Sequence, residues 1–178
     1  MPVTTLPDLP ARLAPALLVA ALLLSTTVGC SPTPSPPPTP TPTPLFATEE
    51  EAFAAAEDVY REYNEAGNSG TDTTEFLTDA ALESELETFR YLDENELQLE
   101  GAGSIKTFTA TSSASVGAST IVEALVCLDV SAVVVRNSNG EDVTPTDRPD
   151  TFALSVSFAS VGHRLLITDS QLDEDGSC

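Results

Sequence analysis

The stretch Ser31 to Pro44 alternates proline with threonine and serine, and it divides the chain into two parts of different kind. Proline fixes φ and has no amide proton to donate, so this tract can join neither a helix nor a sheet. It is read as a semi-rigid spacer near polyproline II. At about 3.1 Å per residue it reaches roughly 43 Å. Its Thr-Pro repeat also suits O-glycosylation. Whatever folds must lie beyond it, in residues 45–178. Roughly 134 residues form one domain, long enough to bury about two-thirds of its unfolded surface.

The part before the tract, residues 1–29, has the order of an export signal. Arg12 is its one basic residue, and the apolar run Leu13 to Leu24 follows. That run falls short of the about 20 residues needed to cross a bilayer. Ser25-Thr-Thr-Val-Gly-Cys30 then resembles a bacterial lipobox, in which small residues precede a cysteine; Thr27 stands where leucine is usual. The resemblance implies cleavage before Cys30, a diacylglyceryl thioether on its sulfur and an acylated amino group. A thiolate is the best nucleophile among ordinary side chains at neutral pH, and several acyl chains hold a membrane where one does not. The alternatives are an ordinary cleaved signal and an uncleaved anchor helix. The expected organisation is a signal peptide (1–29), lipidated Cys30 with its tether (30–44) and a globular domain (45–178), on the extracytoplasmic face of the cell membrane.

Charge narrows the partners. The chain has 28 acidic and 7 basic side chains, a formal net charge of −21. Nucleic acid is excluded as a partner, because backbone phosphates demand Lys and Arg. Docking on an anionic lipid surface is excluded for the same reason. The acidity keeps a tethered domain soluble and away from the bilayer. Beyond Cys30 two cysteines remain, Cys127 and Cys178. An even pair in an exported chain suggests a disulfide; two free or metal-binding thiols are the alternative. With a single histidine, His163, and no further cysteine, a closed zinc site is short of ligands.

The domain begins helical. Thr48 and Glu51 have the spacing of a capping box, and Phe53, Ala56, Tyr60 and Tyr63 follow as one apolar stripe. Gly67 to Gly70 ends that helix. A short helix holds Phe76 and Leu77, and Asp79 is expected to cap another over Ala80 to Asn95. Leu82, Leu86, Phe89 and Leu92 are expected inward, with Glu83, Glu85, Glu87 and Glu94 facing water. Gly101 and Gly103 mark the change to sheet. Five strands are predicted: 105–116, 119–130, 132–136, 151–159 and 164–172. In the second, Val122, Ala124, Val126, Leu128 and Val130 form an apolar face, and Ile121, Glu123, Leu125, Cys127 and Asp129 a mixed one. Asn137-Ser-Asn-Gly140 reads as a hairpin turn, and Gly162-His163 turns the chain before the last strand. Helices followed by antiparallel strands give an α+β domain with the helices on one face of a curved sheet.

Val126-Cys-Leu-Asp-Val-Ser131, the turn Asn139-Gly140 and the ending Leu166-Ile-Thr-Asp-Ser-Gln171 with Gly176-Ser-Cys178 carry a likeness. Over Thr48 to Cys178 the chain resembles actinobacterial lipoproteins of the cone-shaped fold of nuclear transport factor 2 and ketosteroid isomerase. It lacks the tryptophan common in their late strands, and Arg164 or Leu165 stands in its place. The resemblance implies a Cys127–Cys178 pairing and a pocket between sheet and helices. Ketosteroid isomerases place an acid and a tyrosine in that pocket. The candidates here are Tyr60, Tyr63 and Asp129, with Tyr91 and Asp169 as further groups of the same kinds. No spacing forces any of them together, and both stripe tyrosines are read as core residues. Gly101-Ala-Gly103 lacks the third glycine of a dinucleotide fingerprint. Asp173-Glu-Asp-Gly176 stops short of a calcium loop. No catalytic set, metal site or cofactor is predicted. The expectation is a non-enzymatic, lipid-anchored accessory domain that binds a small ligand or an envelope protein. An isomerase or hydratase using Asp129 with a tyrosine is the alternative, and an envelope protein of structural role is a third.

Overall fold

The computed structural model describes residues 43–174, Gly176 and Cys178. The export segment, Cys30 and the tether as far as Pro42 lie outside the described residues. The domain has two helices, α1 (Glu49–Ser69) and α2 (Asp79–Glu94), with a single 3-10 turn at Thr74–Phe76 between them. Six strands follow: β1 (Gln98–Glu100), β2 (Ser104–Val116), β3 (Ser119–Asp129), β4 (Val134–Arg136), β5 (Thr151–Val161) and β6 (Arg164–Leu172). The long strands form one antiparallel sheet in the order β2-β3-β5-β6, and β1 pairs with β4 in a separate two-stranded ribbon. The architecture is α+β, with both helices on the four-stranded sheet.

Helix α1 starts where expected. The Thr48 hydroxyl accepts from Glu51 N at 3.2 Å, while the Glu51 carboxylate accepts from Ala47 N at 2.9 Å, one residue earlier than a standard capping box. Gly70 closes the helix at φ 66°, a left-handed position that suits glycine. Along α1, Ala52, Ala56 and Tyr60 are buried, with Phe53 and Tyr63 at the edges of the stripe. The two alanines let α1 sit close to the sheet. The Tyr60 ring lies 6.1 Å from Phe108 on β2, and Phe108 lies 6.1 Å from fully buried Phe158 on β5. This aromatic chain links helix to sheet.

The register of β3 carries the core. Val122, Ala124 and Val126 face the helices and pair with Phe158, Val156 and Leu154 of β5. The sheet bends at three bulges, where Lys106 and Thr111 on β2 and Thr168 on β6 are the extra residues.

Three expectations need correction. Thr78, not Asp79, stands at the cap of α2 and makes no side-chain cap bond; Asp79 is the first helical residue, at φ 49°. Residues 132–136 shorten to β4, which pairs with a strand not foreseen, β1, rather than extending the main sheet. Three residues are too few to show a period. Leu86 and Phe89 are exposed and Glu85 is half-buried, so α2 is turned from the expected face. Its inward line runs through Ala81, the one buried residue of the helix. A small side chain there allows close approach to β6, on which α2 packs. The Asn137–Gly140 turn forms as read, with Gly140 N bonded to Asn137 O at 2.9 Å.

Candidate ligand pocket

Turning α2 about Ala81 opens a cavity of about 660 Å³ against α1 and the sheet. Two successive turns of α1 set one wall, through Tyr63, Asn64, Gly67 and Asn68. Helix α2 gives the facing wall through Glu85, Thr88, Phe89 and Leu92, which recur at helical spacing. The floor is apolar: Leu99 of β1, Leu128 of β3, and Val130 and Val133 in the link to β4. A volume of this size, with an apolar floor and polar groups on its walls, lies in the range of small-molecule sites, which run about 300–1,000 Å³. A smaller cavity of about 60 Å³ is bordered by the same Tyr63 and Glu85 and reaches Tyr60, Leu77 and Ile167.

The mouth is held by side chain to backbone bonds. Asn68 donates to Gly103 O at 2.8 Å and accepts from Gly103 N at 2.8 Å, as a strand neighbour would. Asn64 adds a donor to the same carbonyl at 3.2 Å. Gly101, at φ 92°, lets the chain pass the β3–β4 link; a Cβ there would lie 2.0 Å from Ala132 O. On the far side Arg148 donates to Val130 O at 2.9 Å and Val133 O at 2.7 Å, fixing two floor residues.

The polar centre is Glu85. Buried Thr73 donates its hydroxyl to Glu85 Oε1 at 2.6 Å, and Tyr63 donates its phenol to Oε2 at 3.3 Å. Burial raises the Tyr63 pKa first, and the Glu85 charge, neighbouring Tyr60 and the bond to Glu85 raise it further. The phenol therefore stays protonated and donating. Burial alone pushes Tyr60 up to about 12.

The predicted pocket residues divide. Tyr63 lines the main cavity; Tyr60 is core, 3% exposed, and reaches only the small one. Asp129 is not brought to either. Alternation along β3 puts it on the face opposite Val122, Ala124 and Val126. There it accepts from Ser131 N and Oγ at 2.9 and 2.6 Å and pairs with Lys106 at 3.0 Å. The Ser131 hydroxyl, then its amide, then Lys106 hold the Asp129 carboxyl well below the usual range. Asp169 is engaged locally with Ser170 N and Gln171 Nε2, Tyr91 is exposed, and so is His163. Glu85 was missed because its charge argued for water. The signal that marks it is its position four residues after the small Ala81, on the same helix face.

Cys127 and Cys178 are joined, with Cα atoms 5.6 Å apart across a separation of 51 residues. The bond lies on the sheet face away from the helices and secures the C-terminal end beside β5, where Cys178 Sγ also approaches Phe152 O. Among the described residues no helix is long and apolar enough to cross a membrane.

No family model matches the sequence, and no curated protein matches it. Among solved structures, the intermembrane space region of the chloroplast protein ARC6 aligns with a TM-score of 0.49 at 12% identity, covering 71% of this chain and 97% of that one. At that score the likeness says nothing about what this chain does.

Proposed function

We propose that the chain is a lipid-anchored accessory domain of the extracytoplasmic membrane face, which binds a small ligand in the α1–α2–sheet cavity and performs no catalysis. The cavity carries this reading: about 660 Å³, with an apolar floor and one carboxylate on its wall. The anchor part rests on the lipobox-like segment ending at Cys30 and the spacer that follows it. The disulfide supports an oxidising compartment. The helices packed on a curved sheet support the cone-shaped nuclear transport factor 2-like fold, and the quoted strand, turn and C-terminal segments support a likeness to actinobacterial lipoproteins. An envelope protein is the other class of partner this reading admits.

Two measurements test it. Cys30→Ala moves the chain out of the membrane fraction; retention there contradicts the anchor. A small-molecule extract of the cells that make the protein raises the melting temperature of the wild type but not of Thr88→Trp, whose indole obstructs the cavity beside Glu85. An extract that shifts neither, or both equally, contradicts the pocket.

One observation favours a second reading. Tyr63 and Glu85 meet at 3.3 Å on an open cavity, the pairing of phenol and carboxylate that an isomerase or hydratase would use. Glu85, and not Asp129, is then the acid. A retained ligand that leaves the wild type chemically changed, and leaves Tyr63→Phe unchanged, selects this reading.

A further inference from the structure

We propose that the cavity selects an organic cation, an amine or ammonium head on an apolar body, with the Glu85 carboxylate as counter-ion. The inference rests on the cavity being a ligand site and names the class of ligand. Glu85 accepts one hydrogen bond on each oxygen, from Thr73 and Tyr63. A carboxylate offers about four lone-pair sites, so acceptor capacity remains toward the cavity. Both bound partners are neutral, and no described residue lining the cavity is Lys, Arg or His. Among the described residues no ion pair engages Glu85. A half-buried carboxylate in that setting gains most from a cation that enters with the ligand.

The surroundings select the rest of the molecule. Phe89 lies one turn beyond Glu85 on the same face of α2 and lines the same cavity, and an aromatic ring near a carboxylate suits a cation. Phe89 and Leu99 are 44% and 55% exposed, and both open onto the cavity with Leu92 and Val133. Those surfaces suit an aliphatic or aromatic body. The amides of Asn64 and Asn68 each spend one N–H on Gly103 O, and no charged donor lines the cavity to draw an anion. A ligand carboxylate or phosphate would meet Glu85 directly, within a chain of net charge −21. The same charge raises the local concentration of cations at the mouth.

The test uses three ligands of one shape: 4-phenylbutylamine, 4-phenylbutanol and 4-phenylbutyrate. Each is titrated by calorimetry into the full chain in lipid nanodiscs, with empty discs subtracted. The amine is expected to bind more tightly than the alcohol, and the acid not at all. Glu85→Gln is expected to weaken the amine about tenfold or more and leave the alcohol unchanged. Glu87→Gln, an exposed charge on the same helix, leaves all three unchanged. If Glu85→Gln fails to fold, Thr88→Arg places a fixed cation at the wall; it should lose the amine and admit the acid. Equal binding of all three, insensitive to Glu85→Gln but abolished by Thr88→Trp, overturns cation selection and leaves the cavity a ligand site. Failure of the amine to bind overturns it as well, and the extract measurement then decides on the cavity separately.

Discussion

Tyr60 and Tyr63 stand three residues apart on one helix and do different work. Tyr60 points into the core beside Phe108, whereas Tyr63 reaches the cavity and its carboxylate. Their titration gives a test at the same scale. The Tyr60 phenol is pushed up to about 12 by burial, from an ordinary value of 10.0. Its neutral form is thus favoured in the folded state. The stability it contributes is full below the unfolded value and is lost as pH rises toward the folded one. Between pH 8 and pH 11 the wild type should lose about 1 kcal/mol through this group, by the linkage relation. Tyr60→Phe should lack that increment, read as a shallower fall of urea-unfolding stability with pH. Equal slopes would mean that the phenol is not buried in solution.

At the scale of elements, the bulges decide how the sheet curves and where its faces point. Each extra residue is caught by the strand beside it. Thr111 Oγ1 donates to Glu123 O at 3.1 Å, Thr168 Oγ1 donates to Ser157 O at 3.1 Å, and Lys106 Nζ pairs with Asp129 of β3 at 3.0 Å. Thr111→Val should cost about 1 kcal/mol, the worth of one exposed hydrogen bond. Deleting Thr111 leaves Ala110 opposite Ala124 and Ser112 opposite Glu123, so it should straighten β2 without shifting its register. A deletion that unfolds the domain would show that the curvature made by this bulge is essential to the sheet. These devices also mark what the sequence made legible. The unbroken alternation of β3 and β5 displayed strands, faces and the outward place of Cys127. On β2 the two bulges break the period, so its polar and apolar residues do not sort by alternation. On α2 two stripes compete, one of large apolar residues and one through Ala81. Close packing on β6 selects the second, which no count of hydrophobic residues reveals. The cavity and Glu85 follow from that choice, and so were hidden with it. Asp129 makes the local hydrogen bonds of a strand-end residue, and its own parity in β3 sets it apart from the helix side.

For the whole molecule, the chain's ends define its setting. The disulfide closes a separation of 51 residues and holds the C-terminal end against the outer face of the sheet. Cys178→Ser should lower stability by up to about 4 kcal/mol, the chain-entropy value for a loop of this length. Urea unfolding under oxidising conditions reads the difference; an unchanged midpoint would mean that the two thiols are not joined in the native protein. At the other end, lipid on Cys30 and the proline tract would hold an acidic domain away from the bilayer with its cavity free. The measurement that tests this account most directly is a native mass spectrum of the full chain taken from its own membrane. The expected spectrum shows a polypeptide beginning at an acylated Cys30 with a non-covalent small-molecule adduct that Thr88→Trp lacks. A chain with Cys30 unmodified, or one that carries no adduct in either form, would contradict it.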